Sequence, residues 1–472
     1  MSFELKEFNL ADICDDISYG YTASANDACV GPKFLRITDI QGGVCNWDNV
    51  PYCEIDSRVK EKYKLNIGDI VIARTGNSTG ENYIIQNDID SVFASYLIRY
   101  RINKKLANPY FVWLYLRTKK WWAYVAGAKT GSAQAGANAK ILGQFKLSLP
   151  PLDKQEIIAS FFKGLNTKAQ INSNICGILD QMAQALFKSW FVDFEPVKAK
   201  IAALDAGGSQ KEAMLAAMSV ISGKDANALA VLEQEHPTKY DELRATAELF
   251  PAAMQESELG NIPIDWTYTD LSSLALLNRS SWSKKNAPDS LNYVDLANTK
   301  WGIIHSIEQY LFVDAPSRAR RILKAGDTIV GTVRPGNGSY AFIAENNLTG
   351  STGFAVLTPK ESQFSTFIYI CATSADNIER LAHLADGGAY PAVNSDVVLA
   401  TPCIIPTDYN VSKKLISVFH HYTKCLFDHK QNILLQNKTL EEIRDVLLPN
   451  ILSGKIDLSN LITSSNIITE EV

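Results

Sequence analysis

The sequence predicts an α+β protein built as two related globules, each followed by a long helix, with the two helices paired antiparallel as a coiled coil. Three observations lead there. The chain has 472 residues, 46% of them hydrophobic, which is too long for one core and suits two or three domains. It repeats itself faintly at a spacing near 257 residues. After each copy of the repeat, apolar residues recur every three or four positions.

The repeat is clearest where Leu65-Asn-Ile-Gly-Asp-Ile-Val-Ile-Ala-Arg-Thr-Gly-Asn returns as Leu323-Lys-Ala-Gly-Asp-Thr-Ile-Val-Gly-Thr-Val-Arg-Pro-Gly-Asn. Each copy reads as a turn, a β-run rich in Ile and Val, and a Gly/Asn loop carrying an arginine, Arg74 or Arg334. Further on, Gly131-Ser-Ala-Gln-Ala-Gly-Ala-Asn138 matches Gly387-Gly-Ala-Tyr-Pro-Ala-Val-Asn394, and each is followed by a short apolar strand ending at Pro150 or Pro406. The β-branched runs, the Gly/Asn turns and a helical stretch near 108 to 126 give both globules their α+β character.

The helical segments come next. In the first, Ile171, Ile175, Ile178, Met182, Leu186 and Trp190 trace one stripe; in the second, Leu426, Ile433, Leu440, Ile443 and Leu447 do the same. A stripe this narrow favours helix against helix over packing of each helix on its own globule. A helix of about 25 residues spans roughly 37 Å, close to one turn of B-DNA at about 34 to 36 Å. The expected order is a first globule at 1–151, a helical region at 152–196 and an acidic, Ala-rich connector at 197–257 with one or two short helices. A second globule follows at 258–408, a second helical region at 409–458 and a tail at 459–472.

Net charge is −5, but its distribution is uneven. From Ser91 to Leu152 there are ten Lys and Arg and no acid, interleaved with Tyr96, Tyr100, Tyr110, Phe111, Trp113, Tyr115, Trp121, Trp122 and Tyr124. That composition is the electrostatic footprint of nucleic-acid binding, with core aromatics under a solvated basic face as the alternative. Residues 196–262 hold ten acids against six bases, so the acidity belongs to the connector. The first globule carries 18 bases against 15 acids and the second, over 263–402, 11 against 13. The start carries early acids and no signal-like apolar run, and no apolar stretch of about 18 residues occurs. A cytoplasmic protein without a membrane segment is expected.

Eight cysteines occur without a C-x-x-C pair, indicating neither a disulfide framework nor a zinc ribbon. His421, Cys425 and His429 fall four apart on one helical face, a spacing able to present three ligands to zinc. With no fourth ligand evident and no counterpart in the first half, no metal is expected. No phosphate loop appears, since Gly223-Lys224 is followed by Asp225 and Gly454-Lys455 by Ile456. Nor is there an Asn/Asp-Pro-Pro-aromatic stretch, because Pro150-Pro151 lies between leucines. A non-catalytic protein is expected, and chemistry on a flipped base must come from a partner.

Leu149-Pro-Pro-Leu-Asp-Lys-Gln-Glu-Ile-Ile-Ala-Ser-Phe-Phe, followed by Gln181-Met-Ala-Gln-Ala-Leu-Phe-Lys-Ser-Trp-Phe-Val-Asp-Phe-Glu-Pro-Val197, closely resembles the central helical region of specificity subunits of type I restriction-modification enzymes. Glu258-Leu-Gly-Asn-Ile-Pro-Ile-Asp-Trp266 is similar to the start of that family's second recognition domain, and Leu447-Leu-Pro-Asn-Ile-Leu-Ser-Gly-Lys-Ile456 to the close of its second helical region. One departure stands out: the second globule ends in Pro402-Cys-Ile-Ile-Pro-Thr-Asp-Tyr-Asn, without the Pro-Pro-Leu and Gln of the first. The resemblance implies two target recognition domains, each reading half of a split site in double-stranded DNA. It also implies helices that dock two methyltransferase subunits, with two restriction/translocase subunits added. S-adenosylmethionine, ATP and Mg then belong to those partners, and no cofactor to this chain. The rival readings are a stand-alone DNA methyltransferase or endonuclease, and a coiled-coil adaptor that ignores DNA.

Base edges are best read by Arg, Asn and Gln on loops. The candidates in the first globule are Arg36, Thr38, Asp39, Gln41, Arg74, Asn77, Thr79, Gln134, Asn138 and Lys140. In the second they are Trp282, Lys284, Lys285, Arg334, Asn337, Ser339, Tyr390 and Asn394. Lys104, Lys105, Lys119, Lys120, Arg318, Arg320 and Arg321 are assigned to phosphates.

Overall fold

The computed structural model describes residues 5–128, 137–258, 260–388 and 390–456. Gln134 and Lys129 lie outside the described residues. The chain forms two compact units, Met1–Asn172 with Leu435–Val472, and Ser173–Leu434.

The first unit begins with β1 (Lys6–Asn9), β2 (Cys14–Tyr19) and β3 (Lys33–Leu35), then α1 (Ser57–Tyr63), β4 (Asp69–Ala73), β5 (Asn82–Ile84), β6 (Ser91–Phe93) and β7 (Leu97–Ile102). It continues with α2 (Pro109–Tyr115), α3 (Lys119–Ala128), α4 (Ala139–Gly143), β8 (Lys146–Leu149) and the start of α5 (Leu152–Phe191). An antiparallel sheet runs in the order β2-β7-β4-β5, β3 pairs parallel with β6, and β1 pairs antiparallel with β8. The β4 run is buried at every position: Ile70 and Ile72 face one core while Val71 and Ala73 face another, as the two-residue period of a strand requires. Asn108 caps α2, accepting from Tyr110 N at 3.0 Å, and Pro109 opens the helix.

Most of the aromatics in the basic stretch are core. Tyr100, Tyr110, Phe111, Trp113, Tyr115 and Trp121 are all buried here, which corrects the expectation that they interleave a binding face. The cations are not one free face either. Arg99 pairs with Asp16 at 2.6 Å, Arg101 with Asp69 at 2.8 Å and Arg117 with Glu81 at 3.5 Å. The missing acids come from other parts of the chain, Asp16 on β2, Asp69 on β4 and Glu81 just before β5, a pairing that a local charge count does not register.

The second unit opens on the end of α5 and a helical connector of α6 (Glu195–Asp205), α7 (Gln210–Ser222), α8 (Ala226–Glu235) and α9 (Pro237–Glu248). Four helices stand where one or two were expected. Lys200 ties them together: its buried ammonium donates to Ala247 O at 2.7 Å and Phe250 O at 2.5 Å, at the end of α9. After the short pair β9 (Met254–Gln255) and β10 (Ile262–Pro263) come β11 (Trp266–Asp270), β12 (Ala275–Leu277), β13 (Ser290–Val294), β14 (Thr299–Lys300), β15 (Ile303–Ile304) and β16 (Glu308–Leu311). Then follow β17 (Ala319–Leu323), β18 (Thr328–Gly331), β19 (Tyr340–Phe342), β20 (Leu348–Ser351) and β21 (Phe354–Pro359). The unit ends with α10 (Ser365–Thr373), α11 (Ala375–His383), α12 (Ser395–Leu399), β22 (Pro402–Pro406) and the first part of α13 (Tyr409–Leu452). Its sheet β12-β21-β18-β19 repeats β2-β7-β4-β5, β13 pairs parallel with β20 as β3 does with β6, and β11 pairs with β22 as β1 does with β8. The repeat seen in sequence is a repeat of topology.

The helices do more than face one another. Phe187, Trp190 and Phe191 of α5 and Phe194 beyond it are packed into the core of the second unit with Phe367 and Phe419. Leu448, Ile451 and Leu452 of α13 are packed into the core of the first, where Tyr115 donates to Ser148 O at 2.6 Å with Leu452 O 3.1 Å away. A dedicated helix-to-helix cluster comprises only Cys176, Leu179 and Ile433, edged by Ile175, Leu426 and Leu434. Ile171, Ile178, Met182 and Ile443, placed in the seam by their spacing, are exposed. The buried line on α5 runs instead through Asn172, Cys176, Leu179, Ala183 and Phe187. Asn172 is satisfied there by Asn437 Oδ1 at 2.9 Å, and Lys430 by Asp180 at 2.7 Å. A hydrophobicity pattern misses such a seam because Asn172, Cys176 and Ala183 along it are small or polar.

The departure at the second helix start is a change of cap. In the first unit buried Gln155 donates to Pro150 O at 2.8 Å and accepts from Asn108 N at 2.9 Å. In the second, Asp408 caps α13 by accepting from Asn410 N at 2.8 Å and Val411 N at 3.1 Å. Among the described residues no single helix is long and apolar enough to cross a membrane, although the bent pair Gln210–Ser222 and Ala226–Glu235 passes that test together.

Candidate nucleic-acid interface

In the first unit β4 delivers a loop, residues 74–80, to one end of the sheet. Gly68, at φ +94°, turns the chain into the strand, and Asp69 locks the turn by accepting from Asn66 N at 2.9 Å. The carboxylate is buried and paired with Arg101 through two bonds of 2.8 Å. At the far end Arg74 donates to Ser95 O at 3.1 Å, and its guanidinium lies 5.1 Å from the Tyr19 ring centre and 5.9 Å from that of Tyr96. Tyr96 is 56% exposed. An arginine laid between two tyrosines in this way keeps its charge and donors while losing little freedom when it meets a ligand. Beside it Gln41 bonds Ser78 at 3.2 Å, and Asn77 is exposed.

The second unit builds similar chemistry at different positions. Gly326 (φ +93°) and Asp327 repeat Gly68 and Asp69, with Lys324 N donating to Asp327 at 2.8 Å. Counting through the loop, Thr332 then stands where Arg74 does and Arg334 where Gly76 does. Both Gly76 and Arg334 have positive φ, 68° and 48°. An arginine there is strained, as functional loops are. Its guanidinium sits 4.5 Å from the ring centre of Tyr390, which is 72% exposed. The hairpin β14–β15 lies beside this loop, with Trp301 N donating to Gly338 O at 2.7 Å.

Several predicted readers are committed elsewhere. Arg36 and Asp39 form a two-bond pair with each other at 2.9 and 3.0 Å, and Thr38 leans on Asp39 at 3.3 Å. Thr79 and Ser339 are buried. Asn138 and Asn394 are helix caps for α4 and α12, which is why an Asn stands in both copies of the motif. Trp282 spends its indole N–H on Thr349 at 2.9 Å.

The phosphate candidates divide. Arg318 is paired with Asp295 at 2.5 Å, Arg320 donates to Ala319 O at 2.7 Å, and Arg321 is half-buried with its pKa lowered by desolvation, so these three do not form an open clamp. Lys119 and Lys120 are exposed at the start of α3, which rests on the reading loop through Trp121 Nε1 to Gly80 O at 2.9 Å. Lys104 and Lys105 are exposed at the opposite end of β7 from Tyr96. Lys140, Lys284 and Lys285 are exposed. His421, Cys425 and His429 are exposed too, and among the described residues no group of three metal-ligating side chains gathers.

Comparison with known proteins shows what the chain is similar to. Residues 4–176 match the type I restriction modification DNA specificity domain. The whole chain aligns with the specificity subunit of the type I restriction enzyme HindI of Haemophilus influenzae, 28% identical over 96% of this chain and 99% of that protein. The chain is similar to the type I specificity subunits along nearly its whole length. Another member, the EcoKI specificity subunit of Escherichia coli, is 24% identical over 32% of this chain and 33% of its own length. Among solved structures, the S subunit of a type I restriction-modification system from M. genitalium superposes with a TM-score of 0.46 at 12% identity, covering 94% of this chain and 95% of that one. Tyr19 and Trp301 were not singled out from sequence, and Tyr96 stood there only among the aromatics of the basic stretch. The signal for the tyrosines was their place at the ends of strands β2 and β7, visible only once the strands are paired.

Proposed function

We propose that this specificity subunit reads a bipartite, asymmetric site in double-stranded DNA, one half through the Arg74 loop and the other through the Arg334 loop. The arginine stacked on exposed tyrosine at the same end of each repeated sheet carries the reading. Arginine on a rigid loop is the best bidentate partner of guanine, and tyrosine adds apolar contact with bases. Because the two loops place these groups at different positions, the half-sites differ. The chain works in the cytoplasm as a scaffold for two methyltransferase and two restriction/translocase subunits, which hold S-adenosylmethionine, ATP and Mg. Ile178 with Met182 on α5, and Leu435 with Val446 on α13, are exposed apolar residues suited to receive the methyltransferase subunits.

The test is to map methylated adenines in the genome of the source organism and then assay the assembled complex on that sequence. A split motif is expected, with Arg74→Ala relaxing one half and Arg334→Ala the other. An undivided motif, or binding insensitive to both substitutions, would falsify the reading.

A further inference from the structure

Thr299–Lys300 and Ile303–Ile304 pair as a hairpin closed by two residues, Trp301 and Gly302, both at positive φ, 47° and 81°. That is the requirement of a type I′ turn, whose first position favours Asn, Asp or Gly, residues that accept the left-handed region easily. Tryptophan is among the residues that accept it least, so folding alone does not select it here. Nor does burial select it, since Trp301 is 59% exposed. The indole is nevertheless held in place. One face lies on Gly338, where an added Cβ would stand 2.6 Å from the ring, and Tyr340 meets it edge-on at 6.0 Å. Gly302 N donates to Tyr340 O at 3.0 Å, and Lys300 donates to Asn337 O and Ser339 Oγ, each at 3.2 Å. The hairpin is thereby fastened to the loop that carries Arg334.

We propose that Trp301 is an apolar base contact of the second recognition domain, pressing its indole on a base of the half-site beside Arg334. A large aromatic held rigid, exposed and fastened to a loop that carries an arginine fits DNA, where such side chains stack on bases, wedge a base step or cover a thymine methyl. In the first unit the segment after β3 is a 3-10 turn, Ile37–Gly43, with Gln41 bonded to Ser78 at 3.2 Å. The polar element of one domain is thus replaced by an apolar one in the other.

The inference rests on the second globule being a DNA reader, and the experiment separates the two. Trp301→Gly suits the positive φ and removes only the side chain; Trp301→Phe keeps a ring. Each is measured in the assembled complex on a duplex bearing the mapped site, with 2-aminopurine placed through the second half. The glycine variant is expected to bind about tenfold more weakly, to lose the 2-aminopurine response and to keep the wild-type Tm, whereas the phenylalanine variant retains most of the affinity. Wild-type affinity and response in the glycine variant overturn the proposal while leaving the DNA-reading function intact. Loss of complex assembly instead assigns Trp301 to a protein contact and also overturns it. A wild-type complex that ignores the duplex sinks both.

Discussion

The two recognition units share strand order, turn geometry and the Gly-Asp that starts the central buried strand, yet they solve the same local problems differently. Asp69 is buried against Arg101, which holds both its oxygens. Asp327, its counterpart, is equally buried but accepts from Lys324 N with one oxygen while the other lies beside Thr358 outside hydrogen-bond geometry. At the reading end, Arg74 lies between Tyr19 and Tyr96, while Arg334 sits two residues further along on Tyr390, in a conformation that glycine holds in the first unit. The lesson is that topology is copied through backbone-determining residues, whereas ion pairs and reading groups are replaced freely. Burial is a constraint on shape, and shape does not dictate which donor meets which base.

Removing the cation from the first unit should give the largest effect. Arg101→Ala strands the Asp69 carboxylate and is expected to cost about 3 kcal/mol, the low end for a broken buried pair because Arg101 is partly exposed. Hydrogen exchange of the β4 and β7 amides reads it, and protection equal to wild type would show that the pair is not what stabilises this sheet. Next come the readers. Arg74→Ala and Arg334→Ala should each lose about 1 to 3 kcal/mol of discrimination, in opposite halves of the site; if both weakened the same half, the two units would not be independent.

Asp327 should make stability depend on pH. Burial raises its pKa above the usual carboxylate value, partly offset by the Lys324 amide. The folded state therefore binds that proton more tightly than the unfolded chain, and stability falls as pH rises through the carboxylate range. Asp327→Asn should slow exchange at β18 about fivefold at pH 7, equivalent to about 1 kcal/mol, with the gain shrinking toward pH 4. A gain independent of pH would assign the effect to packing. The smallest effect is electrostatic: Lys119→Gln with Lys120→Gln should flatten the log-log salt dependence of DNA binding by up to roughly 2, about one for each phosphate these lysines neutralise. An unchanged slope would move the phosphate-binding cations away from α3.

The basic stretch teaches where sequence reading stops. Its charges and aromatics were legible, but whether Arg99 meets a phosphate or Asp16 depends on which strand lies alongside, and Asp16 and Arg99 are 83 residues apart in sequence. The same holds for the helix seam. Ile171, Ile178 and Met182 have the right spacing, yet the neighbouring line through Asn172, Cys176 and Ala183 is the one buried, because Asn437 and Lys430 arrive from the other helix to satisfy it.

By itself the sequence determined the duplication, the α+β class, the two long helices and the family resemblance. These follow from local periodicity, turn residues and motifs, each of which acts within a few residues of chain. Only the tertiary structure decided that Phe187 to Phe194 anchor in one core and Leu448 to Leu452 in another. It alone showed that the two loop arginines are not equivalent and that Asn138 and Asn394 cap helices. Each of those outcomes depends on groups distant in sequence meeting in space, where burial drives most polar atoms to find a partner and leaves the exposed ones for the ligand.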